Sequence, residues 1–405
     1  MRFQGDWGKL ESYRINPDGR LVQDYPIDIK NQLLKFFDYE KLISILRALE
    51  KPSKQYTFRT NTLKISTEKL YSKLLEKNLN VKLHSKLDEA LTIPIEGPFE
   101  IEVEGGIAVA NKYAAESVYQ GSHLYAPGVI SAEGVEKGKK VTVIDEQGLP
   151  IAVGIAVMDG KEMVKLKRGL AVKIERSIYK SISLRELEEY EQGLIYEQSV
   201  PAILTSLILN PSPGDIILDM CAAPGGKTSH IAQLMGNMGR IYAFEKSKLR
   251  YLKLKENLMR MGVKCAFPLL EDSRYVDLKY PQLKVDKILI DPPCSALGVR
   301  PKLFERRTLR DVLSLMQYQI QFFKAAIKVI GEGGIIVYST CTITPHENEL
   351  IVEKVLEKFP LELDWQSIYI GSTGLNIIDG NRLLQRFYPD EHDTPGYFIA
   401  RFVKV

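Results

Sequence analysis

Two cysteines occupy positions where a folded enzyme could use them as reactive thiols. Cys294 lies in the sequence DPPC and Cys341 in STCT, and each follows an apolar run typical of a buried strand. A thiolate is a strong, soft nucleophile, but it forms near neutral pH only where its surroundings favour it. A single cysteine is often just a small buried side chain. Two at successive strand ends favour covalent chemistry.

The residues before each cysteine predict one shared crevice. Residues 284–291 indicate a buried parallel strand, which two prolines end, and residues 331–341 indicate a glycine turn and a second strand. The carboxyl ends of parallel strands meet at one edge of a sheet. We therefore expect Asp291, Cys294 and Cys341 to lie close together.

An earlier strand and loop predict a cofactor site. Residues 215–219, DIILD, precede the loop MCAAPGGKT and a helix, so glycines allow close approach and the helix offers free amide donors. The phosphate-loop pattern GxxxxGK[ST] fails because its first glycine is missing, and the GxGxxG fingerprint of NAD sites is absent. Phosphate and NAD binding are disfavoured.

Carboxylates follow the next two predicted strands. Glu245 ends residues 240–245, at the distance expected for a ribose-binding carboxylate, and Asp272 follows a further apolar stretch, where it could accept from an adenine amino group. Any one of them could be a turn or cap residue, but together they favour an adenosine-containing cofactor. S-adenosylmethionine needs no diphosphate cradle and fits the loop better than NAD.

Methylation of cytosine at carbon 5 explains why thiols and this cofactor site occur together. Carbon 5 becomes nucleophilic when a thiolate adds to carbon 6. Asp291 could hydrogen-bond the ring nitrogen, while Lys227 could lower a thiol pKa or assist proton transfer. A second thiol is then a candidate for removing the carbon-5 proton. This chemistry does not say which cysteine performs which step.

Three ordered motifs, DMCAAPGGKTSHIA, DPPCSALG and STCTITPHENE, resemble the Sun family of RNA cytosine-carbon-5 methyltransferases over about residues 190–405. The resemblance implies that Cys341 is the covalent nucleophile and that Cys294 assists product release. It places Asp291 and Lys227 in the catalytic pocket. It also implies the cofactor-binding residues Cys221, Ala222, Ala223, Pro224, Gly225, Gly226, Lys227, Glu245, Asp272 and Asp291. The ribose position is often aspartate in the family, so Glu245 is a mild departure.

Two further residues lie near these motifs. The segment GLIYEQSVPAIL resembles the family's approach to the cofactor site and brings Gln198 near it. His346 follows Cys341 closely, and we expect it to have a structural role at the start of a helix.

The elements before the catalytic region form two further units. Residues 27–50 have the apolar spacing of one or two amphipathic helices, and residues 55–66 alternate like a strand. A helix with Thr67 as its cap follows. Residues 97–178 contain short apolar segments separated by glycine and proline, with predicted strands GGIAVANKY, KKVTVIDEQ, PIAVGIAVM and GLAVKIERS.

The segment GSHLYAPGV at residues 121–129 resembles the signature of PUA domains, which are small RNA-binding barrels. A structural β insert is the alternative. With the catalytic motifs, the insert resembles the family branch that modifies transfer RNA near its acceptor end, which implies cytosine 72 as target and contact with the CCA end. Candidate RNA contacts are Lys112, Lys137, Lys139, Lys140, Lys165, Lys167, Arg168, Tyr113, Tyr119 and Tyr125.

These observations predict an α/β protein with three parts. Residues 1–96 form a small N-terminal α/β unit that is RRM-like, and residues 97–178 form an inserted, mostly β, PUA-like barrel. Residues 179–405 form a doubly wound, Rossmann-like methyltransferase domain. Methylation of ribosomal RNA and non-catalytic RNA binding on the same scaffold are the alternatives.

The composition limits the classes to which the protein can belong. A net charge of +4 over 405 residues permits an RNA partner without indicating one, and four cysteines without a CxxC pair suggest neither disulfides nor a zinc site. The amino terminus lacks an apolar signal core, and no apolar run approaches the length of a membrane span. We expect a cytoplasmic monomer.

Overall fold

A computed structural model of the protein describes residues 20–405. The polar amino terminus, for which the sequence predicts no signal peptide, occupies residues 1–19 and lies outside the described range. Between residues 20 and 405, no helix combines the length and hydrophobicity needed to cross a membrane.

The N-terminal unit combines helices with a small sheet. Its elements are α1 (Arg20–Asp24), α2 (Ile27–Leu33), α3 (Tyr39–Leu49), β1 (Gln55–Thr60), α4 (Thr67–Glu76), β2 (Lys82–Leu83) and β3 (Ala90–Pro94). The amphipathic segment forms two helices because the chain turns before Asp38, whose carboxylate accepts from Lys41 N (2.7 Å) and caps α3. Ser66 caps α4, so the prediction of Thr67 was wrong by one residue.

A later segment completes the sheet of this unit. It comprises α7 (Glu188–Glu191), β10 (Ile195–Glu197) and α8 (Val200–Leu209). Strand β10 pairs antiparallel with β1, which gives the sheet order β10-β1-β3-β2. Because α8 packs beneath the catalytic sheet, β10 and α8 join the N-terminal unit to the catalytic domain.

The inserted unit is a six-stranded sheet in the order β5-β9-β8-β7-β4-β6. Its elements are β4 (Gly106–Ala110), α5 (Lys112–Val118), β5 (Leu124–Tyr125), β6 (Val129–Glu133), β7 (Lys140–Ile144), β8 (Pro150–Ala156), α6 (Gly160–Leu166) and β9 (Leu170–Ser177). The four strands predicted from the sequence are present. The two helices were missed although Asn111 caps α5, and Asp159 and Glu162 form a capping box on α6.

The catalytic domain is built on a nine-stranded sheet in the order β13-β12-β11-β14-β15-β19-β18-β17, with β16 also paired to β19. Its elements are β11 (Ile216–Asp219), α9 (Gly226–Leu234), β12 (Arg240–Phe244), α10 (Lys248–Met261), β13 (Ala266–Leu269), α11 (Val276–Lys279), β14 (Val285–Ile290), α12 (Leu309–Val329), β15 (Ile330–Thr340), α13 (Glu349–Lys358), β16 (Leu361–Leu363), β17 (Ser372–Thr373), β18 (Gln385–Phe387), α14 (Pro389–His392) and β19 (Tyr397–Lys404).

Strands β11 to β15 run parallel, and β19 adds antiparallel to β15. Ile288, Leu289 and Ile290 are fully buried, so both faces of β14 are covered, as expected for a parallel sheet between helices. The predicted doubly wound architecture is confirmed. The strand order changes direction between β11 and β14, so the loops after these two strands border the crevice.

Candidate active site

The loops after β14 and β15 bring the two predicted cysteines together. Cys294 Sγ lies 3.3 Å from Cys341 Sγ, and both side chains are partly exposed. Strand pairing fixes their approach because Ile290 stands opposite Tyr338, and the Gly298 amide donates to the Cys341 carbonyl (3.0 Å). Two thiols at this distance can act on neighbouring atoms of one small substrate.

Asp291 is the centre of a second group of polar side chains. Its Oδ2 accepts from Lys227 Nζ (2.7 Å), and its Oδ1 accepts from Ser339 Oγ (2.7 Å). The Tyr397 hydroxyl lies 3.4 Å from Oδ1, and burial raises the pKa of this tyrosine to about 12. The hydrogen bonds fix the carboxylate beside Cys341, between the cofactor loop and the ends of β14 and β15.

The electrostatics distinguish the two thiols. The hydrogen bond with Cys294 lowers the pKa of Cys341, in opposition to burial, and the positive charge of Lys227 acts in the same direction. The same hydrogen bond and burial raise the pKa of Cys294 well above its usual range. Cys341 is therefore the thiol that ionises first, and Cys294 is the thiol that retains its proton.

Lys227 is a permanent cation in this arrangement. Burial lowers its pKa, but the Asp291 carboxylate outweighs that effect and raises it well above the ordinary value. A lysine held in this charge state can stabilise developing negative charge and cannot serve as a base at neutral pH. Of the two roles predicted for Lys227, the geometry favours the electrostatic one.

The loop from Met220 to Gly226 is held by the Asp219 carboxylate and by the conformation of its glycines. Buried Asp219 accepts from Thr228 Oγ1 (2.7 Å) and from Cys221 N (3.3 Å), and burial raises its pKa to about 6. Gly225 has φ of 106°, which favours glycine, and a Cβ on Gly226 would lie 2.8 Å from the Tyr196 ring. Glycine is therefore required at both positions for the turn into α9.

Two predicted carboxylates line a narrow recess on the other side of this loop. The recess is lined by Met220, Cys221, Glu245, Lys246, Arg250, Glu271, Asp272, Ser273, Pro293, Tyr318 and Phe322. Glu245 is buried and accepts from Ser247 N (2.8 Å), while Asp272 is held by both side-chain and backbone groups of Arg274. Apolar walls with carboxylates at the ends of neighbouring strands suit an adenosine group.

A larger cavity of about 620 Å³ borders the opposite side of the loop and contains Lys227 and Asp291. Gln198 lines it, as the sequence predicted for the approach to the site. Its Oε1 accepts from Arg59 Nε (3.0 Å), and its Nε2 donates to the Ala202 carbonyl (3.0 Å). Gln198 is thereby fixed by the N-terminal unit.

Sequence reasoning missed three residues that build the site. Arg59, fully buried, contacts Gln198, Ser229 and Gln233, so it joins β1 to the first turns of α9. Ser339 and Tyr397 hold Asp291. Ser339 could have been found from its place beside Cys341, but no local pattern marks Arg59 or Tyr397, which come from distant strands.

The residues proposed for RNA contact differ in accessibility. Lys112 is buried in an ion pair with Glu116, Lys140 pairs with Glu175, and Tyr119 packs against Tyr179. Exposed candidates are Tyr113, Tyr125, Lys137, Lys139, Lys140, Lys165, Lys167 and Arg168. The exposed group therefore carries the proposed contacts of the insert.

His346 and the C-terminal segment pack against the elements that carry the cysteine loops. His346 is the second residue of a short 3₁₀ turn (Pro345–Glu347) and packs edge-on against Phe36 at 5.9 Å between ring centroids. Arg386 is buried in an ion pair with Glu349 and donates to the Ile343 carbonyl (3.1 Å). Both lie in the packing around the site, and neither faces a reactive sulfur in these contacts.

A doubly wound sheet, a recess with carboxylates at the ends of neighbouring strands and paired thiols at the strand ends define a Rossmann-like methyltransferase. Residues 206–403 match the 16S rRNA methyltransferase RsmB/F family, and residues 106–178 match the PUA domain. The chain belongs to the RsmB/F methyltransferase family, which confirms the resemblance to the Sun family. S-adenosylmethionine is the cofactor of this family.

Full-length relatives share this organisation. The chain is 45% identical over 390 residues to the tRNA (cytosine(72)-C(5))-methyltransferase of Pyrococcus horikoshii, an alignment that covers 95% of this chain and 98% of the relative. It is 31% identical to the human tRNA (cytosine(72)-C(5))-methyltransferase NSUN6, covering 90% and 91%. The crystal structure of NSun6 from Pyrococcus horikoshii with SFG has a TM-score of 0.87 and 44% identity, covering 95% and 99%.

Proposed function

We propose that this protein transfers a methyl group from S-adenosylmethionine to carbon 5 of cytosine 72 in the acceptor stem of transfer RNA. The observation that carries the proposal is the pair of sulfurs 3.3 Å apart beside the Asp291–Lys227 ion pair. Relatives that match nearly the full length of this chain, including its inserted domain, are named for that reaction.

The cofactor fits the residues around the loop. Glu245 would hold the ribose hydroxyls, and Asp272, whose position Arg274 fixes, would border the adenine. The loop from Cys221 to Lys227 would line the remainder of the cofactor. S-adenosylmethionine supplies an electrophilic methyl group when bound.

Cys341 begins the reaction as a thiolate. Its sulfur forms a bond to carbon 6, and the electron pair of the ring double bond moves toward carbon 5, which becomes nucleophilic. Lys227 places a fixed positive charge beside the ring. As negative charge develops, the ring nitrogen takes a proton from water, and it returns that proton when the ring double bond is restored. In between, Asp291 accepts a hydrogen bond from this N–H, which stabilises the displaced charge.

Cys294 completes the reaction after carbon 5 has been methylated. With Cys341 bound as a neutral thioether, negative charge on that sulfur no longer opposes ionisation of Cys294, which releases its proton to water. The Cys294 thiolate then takes the carbon-5 proton, the C–H electron pair restores the ring double bond, and the bond between carbon 6 and Cys341 breaks with its electrons on sulfur. The product leaves and Cys341 is again a thiolate.

The inserted domain would position the RNA. Its exposed lysines and tyrosines provide phosphate contacts and stacking surfaces for an unpaired strand, which suits the single-stranded CCA end beside the acceptor stem. Within this proposal the protein acts as a cytoplasmic monomer.

The test is methylation of defined transcripts with methyl-labelled S-adenosylmethionine. We expect 5-methylcytosine in transfer RNA, lost when cytosine 72 is replaced by uridine and reduced when the CCA end is removed. Methylation of ribosomal RNA alone would overturn the proposed substrate. Cofactor binding without 5-methylcytosine in either RNA would indicate a non-catalytic RNA-binding protein.

A further inference from the structure

Buried hydroxyl groups connect the two cysteine loops. Ser295 follows Cys294 and Thr342 follows Cys341, and their side-chain oxygens lie 2.7 Å apart in a hydrogen bond. Both residues are fully buried. The distance between the sulfurs is therefore coupled to a contact between the residues that follow them.

A carboxylate lies beneath this contact. Glu347 is fully buried, and its Oε1 accepts from the Ser295 amide (2.8 Å) and from Gln319 Nε2 (3.0 Å). Its Oε2 accepts from Thr344 Oγ1 (2.9 Å). Among the lysine, arginine and histidine side chains that the structure describes, none forms an ion pair with Glu347, whereas the nearby Glu349 pairs with Arg386.

Gln319 of α12 holds the other side of the same loop. Its Nε2 also donates to the Pro293 carbonyl (3.1 Å). The backbone is thus anchored immediately before Cys294, through Pro293, and immediately after it, through Ser295. Glu347 contacts both anchors, because it accepts from Ser295 and from Gln319.

Cys341 has further anchors that do not involve Glu347. It directly follows β15, where Thr340 pairs with Phe398 of β19. Asn348 accepts from the Thr340 hydroxyl (2.6 Å) and donates to the Thr342 carbonyl (3.1 Å). Loss of the Glu347 carboxylate would therefore displace Cys294 while leaving the attacking thiol on its strand.

We infer that Glu347 is a positioning residue that places Cys294 for removal of the carbon-5 proton, an inference that rests on the proposed function. The attacking and proton-removing sulfurs must reach neighbouring ring carbons, and a displacement of about 1 Å in a reacting group can cost about 100-fold in rate. The residue contributes to release of the product and not to attack.

Two substitutions of Glu347 distinguish its effect on the position of the loop from the effect of its charge. Glu347→Gln keeps one oxygen for Ser295 and Gln319, while its amide group can donate to the Thr344 hydroxyl, so the loop geometry is retained without the charge. Glu347→Ala removes the carboxylate contacts with Ser295, Gln319 and Thr344. Glu349→Gln weakens the buried Glu349–Arg386 pair and is a control for lost stability.

The measurement is the ratio of covalent protein–RNA adduct, seen on a denaturing gel, to released 5-methylcytosine RNA. We expect Glu347→Ala to raise this ratio by about 10-fold or more and Glu347→Gln to leave it within about twofold of wild type. Glu349→Gln should lower adduct and product in parallel. If Glu347→Ala does not fold, Gln319→Ala, which removes the anchors on Pro293 and Glu347, should raise the same ratio.

Two results would overturn the inference. One is a parallel loss of adduct and product in a folded Glu347→Ala or Gln319→Ala protein. The other is an equal effect of the Gln and Ala substitutions at Glu347, which would assign the effect to charge. Failure of the proposed function is distinct, because wild type would then form neither adduct nor product with transfer RNA.

Discussion

Cys294 and Cys341 are separated by 47 residues in sequence, yet their sulfur atoms lie 3.3 Å apart and share one hydrogen bond. That bond lowers the pKa of Cys341 and raises the pKa of Cys294. The pair is therefore asymmetric before any substrate binds. Cys341 is the sulfur prepared to attack, and Cys294 retains its proton until Cys341 has bonded to the ring.

The first prediction concerns the roles of these sulfurs. Cys341→Ala should abolish both turnover and the covalent adduct, whereas Cys294→Ala should let a protein–RNA adduct accumulate because the carbon-5 proton is not removed. A denaturing gel with labelled RNA measures both effects. The reverse pattern would exchange the two roles, and circular dichroism of each variant controls for altered packing.

The second prediction concerns the charge beside the ring. Lys227→Met removes the cation that Asp291 holds at 2.7 Å, and we expect adduct formation to slow by about 100-fold or more. Ser339→Ala removes one hydrogen bond to Asp291 but keeps the ion pair, so its effect should be nearer 10-fold. Single-turnover kinetics measure the two rates. Equal losses would argue against a separate contribution from the charge.

The third prediction concerns Arg59, which is buried between the N-terminal unit and α9. Arg59→Met leaves Gln198, Ser229 and Gln233 without their donor, and we expect a loss of about 3 kcal/mol of stability. Thermal unfolding measures the change. Arg59→Lys keeps the charge but cannot reach all three partners, so its stability should lie between that of wild type and that of Arg59→Met. A surface role for Arg59 in RNA binding would instead change RNA affinity and leave stability intact.

Local patterns were sufficient to predict much of this site. The strand ends at Asp291 and Cys341 follow from apolar runs and their breaks, and the loop before α9 follows from its glycines. The carboxylates Glu245 and Asp272 follow from the order of successive strands. Each of these features depends on residues near one another in sequence, and the parallel sheet then brings the strand ends to one edge.

Other parts depend on contacts that no local pattern encodes. Tyr397 reaches Asp291 from the last strand, and β10 joins a sheet begun by β1 more than a hundred residues earlier. Lys112 was a candidate RNA contact, but it is buried in an ion pair with Glu116, and Arg59 is buried with polar partners as well. Burial of a charged side chain is decided by tertiary contacts and cannot be inferred from its type.

The last prediction concerns His230, which is fully buried in α9 with Nε2 2.7 Å from Glu89 of the N-terminal unit. Burial lowers its pKa from 6.5 to about 4. Below pH 6.5 the unfolded chain binds a proton at this residue while the folded protein does not. Stability contributed by the neutral imidazole is therefore complete above pH 6.5 and is lost as the pH falls toward 4, by about 3 kcal/mol.

His230→Gln removes this titration while its amide can still donate to Glu89. We expect the variant to be less stable than wild type at pH 7, and the difference to shrink as the pH falls from 6.5 to 4, because only wild type loses the contribution of the neutral imidazole. Unfolding free energies at several pH values measure the difference. Parallel pH curves for the two proteins would mean that His230 titrates alike in the folded and unfolded chains, and burial of this imidazole would then have no part in acid unfolding.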